Sequence, residues 1–195
     1  VAGICRQTGQ GLVEPHAFVV AHGRFGRCPE LGLTPAHRVA HVRKAFRGAG
    51  LARASTRYPA PRDGIAWEQF GFSLSTRETV MAVAARQRDG EWGEYSMRPY
   101  GPLELEPAAT VLNYGQAVFE GVKAYRTVAD RIVLFRPGMN AQRMAVGAER
   151  LMMPPVPSKL FLEMCGAVVR ANGAWVPPLG QGALYLRPLL FGSGG

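Results

Sequence analysis

From residue 80 onward, short apolar runs alternate with two longer stretches of helical spacing. Val80-Met-Ala-Val-Ala84 is a compact apolar run of buried-strand type. Asp89-Gly90 is a hairpin signal, with Gly93-Glu-Tyr-Ser-Met-Arg98 as the returning strand. Trp67 to Leu74 mixes aromatic residues with Gly71 and is expected to enter the first strand. Tyr100-Gly101-Pro102 reads as a turn, and Leu103-Glu-Leu-Glu106 alternates before Pro107 ends it. Arg131-Ile-Val-Leu-Phe135 and Ala183-Leu-Tyr-Leu-Arg-Pro-Leu-Leu-Phe191 are further strands. Between them, Pro137 suits a first helical position. Met144, Ala148, Leu151 and Met152 recur at i, i+4, i+7 and i+8, on a different face from Arg143, Gly147 and Arg150. Met153-Pro-Pro-Val-Pro157 stops that helix. A second helix from Ser158 carries Phe161, Met164, Cys165, Val168 and Val169 on one stripe and closes at Asn172-Gly173. Several antiparallel strands with two helices make an α+β body.

The stretch Tyr114 to Tyr125, Tyr-Gly-Gln-Ala-Val-Phe-Glu-Gly-Val-Lys-Ala-Tyr, carries the densest chemistry. Read as a strand, it points Phe119, Gly121, Lys123 and Tyr125 one way and Val118, Glu120, Val122 and Ala124 the other. Gly121 marks either a bulge or a place where a ligand or another backbone comes close. Tyr185 and Arg187 likewise share a face, roughly 6–7 Å apart along their strand.

Composition divides the chain. Residues 1–62 hold ten Lys and Arg against Glu14 and Glu30, a balance of +8, whereas residues 63–195 hold thirteen bases and twelve acids, a balance of +1. Residues 1–64 therefore read as a basic, acid-poor leader of organelle-targeting type, with a solvated arm or translated upstream sequence as rivals. Pro59-Ala-Pro61 and Asp63-Gly64 read as a linker, and residues 65–195 as the folded body. A nearly neutral body argues against a nucleic-acid groove. No apolar run approaches membrane-helix length. Cys5, Cys28 and Cys165 show no CxxC spacing, which suggests free thiols. All four histidines lie at or before His41, so a metal site or Ser-His and Cys-His catalysis in the body is not expected.

Arg143, on a helix soon after a strand, suits bidentate phosphate binding, or is simply a solvated helix-surface arginine. Arg187, flanked by Leu186 and Pro188, is costly to bury without an anionic partner; with Tyr185 it forms either a carboxylate clamp or half of a structural ion pair. Lys123 is a candidate Schiff-base lysine, for which snorkelling to water is the simpler account. Glu120 has no second carboxylate at useful spacing, so paired acid–base hydrolysis lacks support. There is no P-loop and no GxGxxG.

Leu103-Glu-Leu-Glu-Pro-Ala-Ala-Thr-Val-Leu-Asn-Tyr-Gly-Gln-Ala-Val-Phe-Glu-Gly-Val-Lys-Ala-Tyr-Arg126 resembles the signature of branched-chain amino-acid aminotransferases, the fold-type IV enzymes dependent on pyridoxal phosphate. The resemblance continues through Leu134-Phe-Arg-Pro137, Asn140-Ala-Gln-Arg-Met144, Met153-Pro-Pro-Val156 and Leu184-Tyr-Leu-Arg-Pro188, covers about residues 65–195, and is closest to the plant-like branch. It implies the small N-terminal domain of that fold, an antiparallel sheet with two helices. It makes Arg143 the grip on the cofactor phosphate. Tyr114, Phe119 and Gly121 would line the side-chain pocket, Phe72 would add an aromatic, and Tyr185 and Arg187 would bind substrate, the arginine receiving glutamate. Lys123 matches a basic position that does not carry the cofactor.

The resemblance further implies transamination of leucine, isoleucine and valine with 2-oxoglutarate, by a homodimer when full length; the basic leader, for its part, points to chloroplast or mitochondrion. The family's Schiff-base lysine belongs to a second domain beyond residue 195, so no catalytic residue is assigned here and the 195-residue chain alone is expected to be inactive. The alternatives are another class IV enzyme, such as a lyase, or a catalytically dead product with a dimerisation role. Ending on Gly192-Ser-Gly-Gly195 reads as a break before a partner domain, with an exposed apolar face expected around residues 183–195.

Overall fold

The computed structural model describes residues 15–22, 58–67, 78–87 and 90–194, with the backbone alone for the first of these. Its strands are β1 (Pro15–His22), β2 (Val80–Ala85), β3 (Ser96–Pro99), β4 (Ala117–Phe119), β5 (Val122–Arg126), β6 (Ile132–Leu134) and β7 (Leu184–Gly192). Its helices are α1 (Thr110–Tyr114), α2 (Pro137–Arg150) and α3 (Ser158–Ala171). Every strand pairing is antiparallel. The sheet runs β3-β2-β1-β7-β5-β6, with β4 also on β7. The α+β class with an antiparallel sheet is therefore as the sequence predicts, with the short α1 in addition to the two long helices.

One face of the sheet carries the main core. Leu184, Leu186 and Leu190 of β7 and Val122 and Ala124 of β5 meet Met144 and Ala148 of α2 and Phe161, Met164, Cys165, Val168 and Val169 of α3. The predicted stripe of α3 is thus buried throughout. The stripe of α2 is only half right. The helix ends at Arg150, Met152 takes a left-handed φ of 55°, and Met152 is left 87% exposed. Met152 N–H donates to Glu149 and Met153 N–H to Ala148, the paired bonds of a Schellman stop, so Met153 turns into the core instead. Gly147 belongs to the packing surface as well: a β-carbon there would stand 2.9 Å from Val118 Cγ1, so its absence lets α2 settle on β4.

Several expectations change. Residues 103–106 form no strand; Leu105 instead packs, with Val111 of α1, on a small cluster of Met81, Val83 and Phe191 on the sheet's other face. Tyr114 ends a helix, and Gly115 at φ 64° turns the chain into β4. Residues 183–192 do not form an exposed apolar face: α2 and α3 cover Leu184, Leu186 and Leu190, which are fully buried, and Phe191 is buried against Met81 and Val83 on the other side. Among the described residues, large apolar exposure falls instead on Leu112, Tyr114, Phe119, Val128 and Met152. Asp89 and the strand expected between Trp67 and Leu74 lie, apart from Trp67 and Gly90, outside the described residues.

Pro15–His22, which composition assigns to the leader, forms β1 between β2 and β7. Its apolar run Ala17-Phe-Val-Val-Ala21 has strand character that a reading based on basic residues passes over. The Pro59–Pro61 linker is docked too. Arg126, 5% exposed, donates to Pro59 O at 2.9 Å, Gly173 O at 3.1 Å and Asp130 at 2.6 Å, while Arg62 N–H donates to Ala174 O. Arg62 also pairs with Glu78 and lies over the Trp175 ring. A buried guanidinium needs such acceptors, and the linker's carbonyl supplies one.

Candidate functional site

Residues 120 and 121 interrupt the boundary of β4 and β5 without inserting anything. Phe119 faces Leu189 and Val122 faces Leu186, so the register runs straight through and the bulge reading is excluded. Glu120 N–H donates to Pro188 O at 2.9 Å. Proline has no N–H to return the bond. The ladder therefore lapses because of Pro188, and the alternation of faces persists.

On the helix-covered face, Glu120 is 8% exposed. Arg143 of α2 donates Nε to Oε1 at 2.9 Å and Nη2 to Oε2 at 2.6 Å, a bidentate fork. Asn140, one helical turn earlier, donates from Nδ2 to Glu120 Oε2 at 2.8 Å and to Gly121 O at 3.1 Å. Burial alone would push the Glu120 carboxyl up. The hydrogen bonds from Arg143 and Asn140 and the positive charge of Arg143 outweigh it and hold the carboxyl below its ordinary value. Glu120 in turn raises Arg143 above the usual arginine value. The Arg143 side chain is 62% exposed. Glu120 occupies its Nε edge and leaves the Nη1 side facing outward, a fixed cation with donors to offer.

On the other face, Phe119, Gly121, Tyr185 and Arg187 come together. Arg187 stacks on Phe119 with 4.5 Å between guanidinium carbon and ring centre. Its Nε and Nη2 both donate to the Tyr185 hydroxyl, at 3.2 and 2.9 Å. Of the two open readings, the ion pair finds no partner among the described residues: Arg187 is held there by a hydroxyl and a ring, with its remaining N–H groups uncommitted to any described carboxylate. Lys123 stands across from Tyr185 on the same exposed face.

The predicted site thus divides between two faces of one strand. Tyr114, 83% exposed at the end of α1, joins neither group by a described hydrogen bond or ring contact. Phe72 lies outside the described residues. Glu120 and Asn140 are the residues that sequence reasoning missed. The available signal was Glu120 itself, an acid on the apolar face of a strand, which requires a buried partner. Cys165 offers no nucleophile: burial pushes its thiol up to about 12. Among the described residues no cluster of His, Cys, Asp and Glu could hold a metal ion, and no helix is long and apolar enough to cross a membrane.

No family model matches the chain. Individual relatives do. The chain is 47% identical over 130 residues to branched-chain-amino-acid aminotransferase 6 of Arabidopsis thaliana, covering 67% of this chain and 36% of that protein. It is 50% identical over 128 residues to the mitochondrial branched-chain-amino-acid aminotransferase 1 of the same plant, covering 66% and 33%. It is also 44% identical over 130 residues to that plant's methionine aminotransferase BCAT4, covering 67% and 36%. Fold and relatives together define an aminotransferase segment. The chain belongs to the branched-chain-amino-acid aminotransferase family and spans about a third of the length of the curated relatives it matches.

Proposed function

We propose that this segment supplies the phosphate grip and the substrate-carboxylate grip of a pyridoxal-phosphate-dependent branched-chain aminotransferase, acting on leucine, isoleucine or valine with 2-oxoglutarate. The observation that carries the reading is the Arg143 guanidinium, anchored along one edge by buried Glu120 and exposed along the other. A phosphate dianion suits such a fork, and Asn140 keeps Glu120 from turning toward it. Pyridoxal phosphate, when bound, supplies the electron sink of transamination. Arg187 presents a second cation for the carboxylate of an amino acid or 2-oxo acid, while Phe119, with Tyr114, Phe72 and the bare Gly121, offers apolar surface to a branched side chain. The proton-moving lysine is not assigned to this segment: Lys159 sits on α3 near Glu163, and Lys123 lies on the Arg187 face, away from Arg143. We place the dimer and the second domain in the remaining length of the protein.

Residues 1–62 are proposed to direct the protein to chloroplast or mitochondrion, destinations that relatives' names include. Since β1 lies inside that stretch, removal of the leader would uncover β2 and β7 along one edge each.

The decisive experiment compares pyridoxal phosphate with phosphate-free pyridoxal as titrants of the full-length protein carrying this segment, followed by absorbance. Arg143→Met should weaken the phosphorylated cofactor by about tenfold or more and leave pyridoxal unchanged. Equal weakening of both, or of neither, refutes the assignment. Amino-group transfer from leucine, isoleucine, valine and methionine, assayed side by side, then fixes the side-chain preference.

A further inference from the structure

We propose that Gly121 is a positioning residue for Arg187, acting through Tyr185, and so sets where a substrate carboxylate is received. Gly121 is not among the glycines with positive φ, so its backbone asks for no special residue. What it provides is space. A β-carbon built there would lie 2.5 Å from the Tyr185 hydroxyl oxygen and 3.1 Å from Cε2 and Cζ of the same ring. The tyrosine ring therefore rests on the bare Cα of Gly121.

The register explains the arrangement. Gly121 falls opposite Arg187, between the pairs Phe119–Leu189 and Val122–Leu186. Because Glu120 and Pro188 form the hydrogen-bonded position, the 121–187 position is a non-hydrogen-bonded one, where facing side chains come closest. Tyr185 is the diagonal neighbour, and its ring crosses into the space above Gly121. From there its hydroxyl holds Nε and Nη2 of Arg187, and the guanidinium is laid over Phe119. The backbone of Tyr185 is fixed by its pairing with Lys123 and by β1 on the other side. A β-carbon at 121 can therefore be relieved only by swinging the ring, by about an ångström or more to reach ordinary contact. That movement breaks the hold on Arg187.

This inference rests on the reading that Arg187 receives a carboxylate, and the test separates the two. In the full-length protein, the Nε–Hε resonance of Arg187 reports its attachment to Tyr185, and glutarate serves as a dicarboxylate titrant. Gly121→Ala should shift the resonance and weaken glutarate by about tenfold, as should Tyr185→Phe. The double variant should resemble Tyr185→Phe alone, since the shared hydroxyl is already gone. An Arg187 resonance unmoved by Gly121→Ala, or effects that add in the double variant, overturns the proposal. If glutarate binds wild type and Arg187→Met equally while Gly121→Ala still moves the resonance, the carboxylate reading fails and the positioning role stands. Should Gly121→Ala not fold, folding of Gly121→Ala combined with Tyr185→Ala, which removes the ring as well as the hydroxyl, supports the role, and its failure to fold overturns it because the clash then lies elsewhere.

Discussion

Replacing Asn172 with alanine should cost more stability than any other single polar substitution at a helix end of this chain. Asn172 caps α3, is 1% exposed, and uses its whole amide. Its Oδ1 accepts from Val80 N–H at 2.8 Å, while Nδ2 donates to Val80 O and to Val168 O, each at 2.8 Å. The side-chain amide treats Val80 as a neighbouring strand would, taking its N–H and its C=O together. It does so at the end of β2 that lies beyond the β1–β2 pairing, which stops at Val19 and Ala82. Each such bond is worth about 1 kcal/mol net, and a buried partner left unpaired costs about 1–3 kcal/mol. Asn172→Ala should therefore lose roughly 3 kcal/mol, read as a lower urea midpoint at unchanged slope. Amide exchange at Val80 should quicken in parallel. Asn172→Asp keeps the shape and one acceptor but turns a carboxylate toward two carbonyls, so it should do at least as much damage. A loss under about 0.5 kcal/mol for alanine, within the range of inert surface changes, or a tolerated aspartate, would falsify this account of the cap.

Two further outcomes follow from the same kind of accounting. The Glu120 carboxyl is held below its ordinary value of 4.5 in the folded chain, so the unfolded chain binds its proton first as pH falls. The stability it contributes is complete above that value and is lost as pH drops through the lower, folded one. Urea titrations of wild type and Glu120→Gln should converge in acid, and a gap that stays constant with pH would count against the ion pair. Met152→Gly should raise stability by about 1 kcal/mol, because an exposed side chain in a left-handed helix stop gives up strain and little packing. A lowered thermal midpoint would show that Met152 has a contact worth more than its backbone strain.

Periodicity made most of the body legible. The stripe Phe161, Met164, Cys165, Val168 and Val169 needed only its spacing to be placed, since a helix has one way to bury five apolar positions on one face. Period two likewise puts Phe119 with Gly121, and Tyr185 with Arg187, on one face of each strand, while the strand register is what brings the two pairs together. What escaped the pattern depended on contacts distant in sequence. Met152 fits the apolar stripe of α2 but lies past a stop set by backbone bonds rather than by side-chain type. Glu120 lacked a partner in its own segment because Asn140 and Arg143 are brought to it by a helix some twenty residues on. The strand at Pro15–His22 was masked by the arginines around it: composition averaged over sixty residues hides an apolar run of five.

The same period-two geometry explains why the two candidate cations depend on adjacent residues. Consecutive strand positions face opposite ways, so the side chains of residues 120 and 121 must serve different faces. Glu120 fixes Arg143 by charge on the helix side, and Gly121 leaves the room in which Tyr185 holds Arg187 on the other. Asn140 ties the pair together by bonding both the Glu120 carboxylate and the Gly121 carbonyl. A rotation of that peptide would therefore disturb both guanidiniums, whereas a change confined to α2 or to β7 would reach only one. Lys123, which tempts as a nucleophile in the sequence, takes part in neither set of bonds. The Glu-Gly step, chemically the plainest part of the stretch, is where the two halves of the proposed site are held in register.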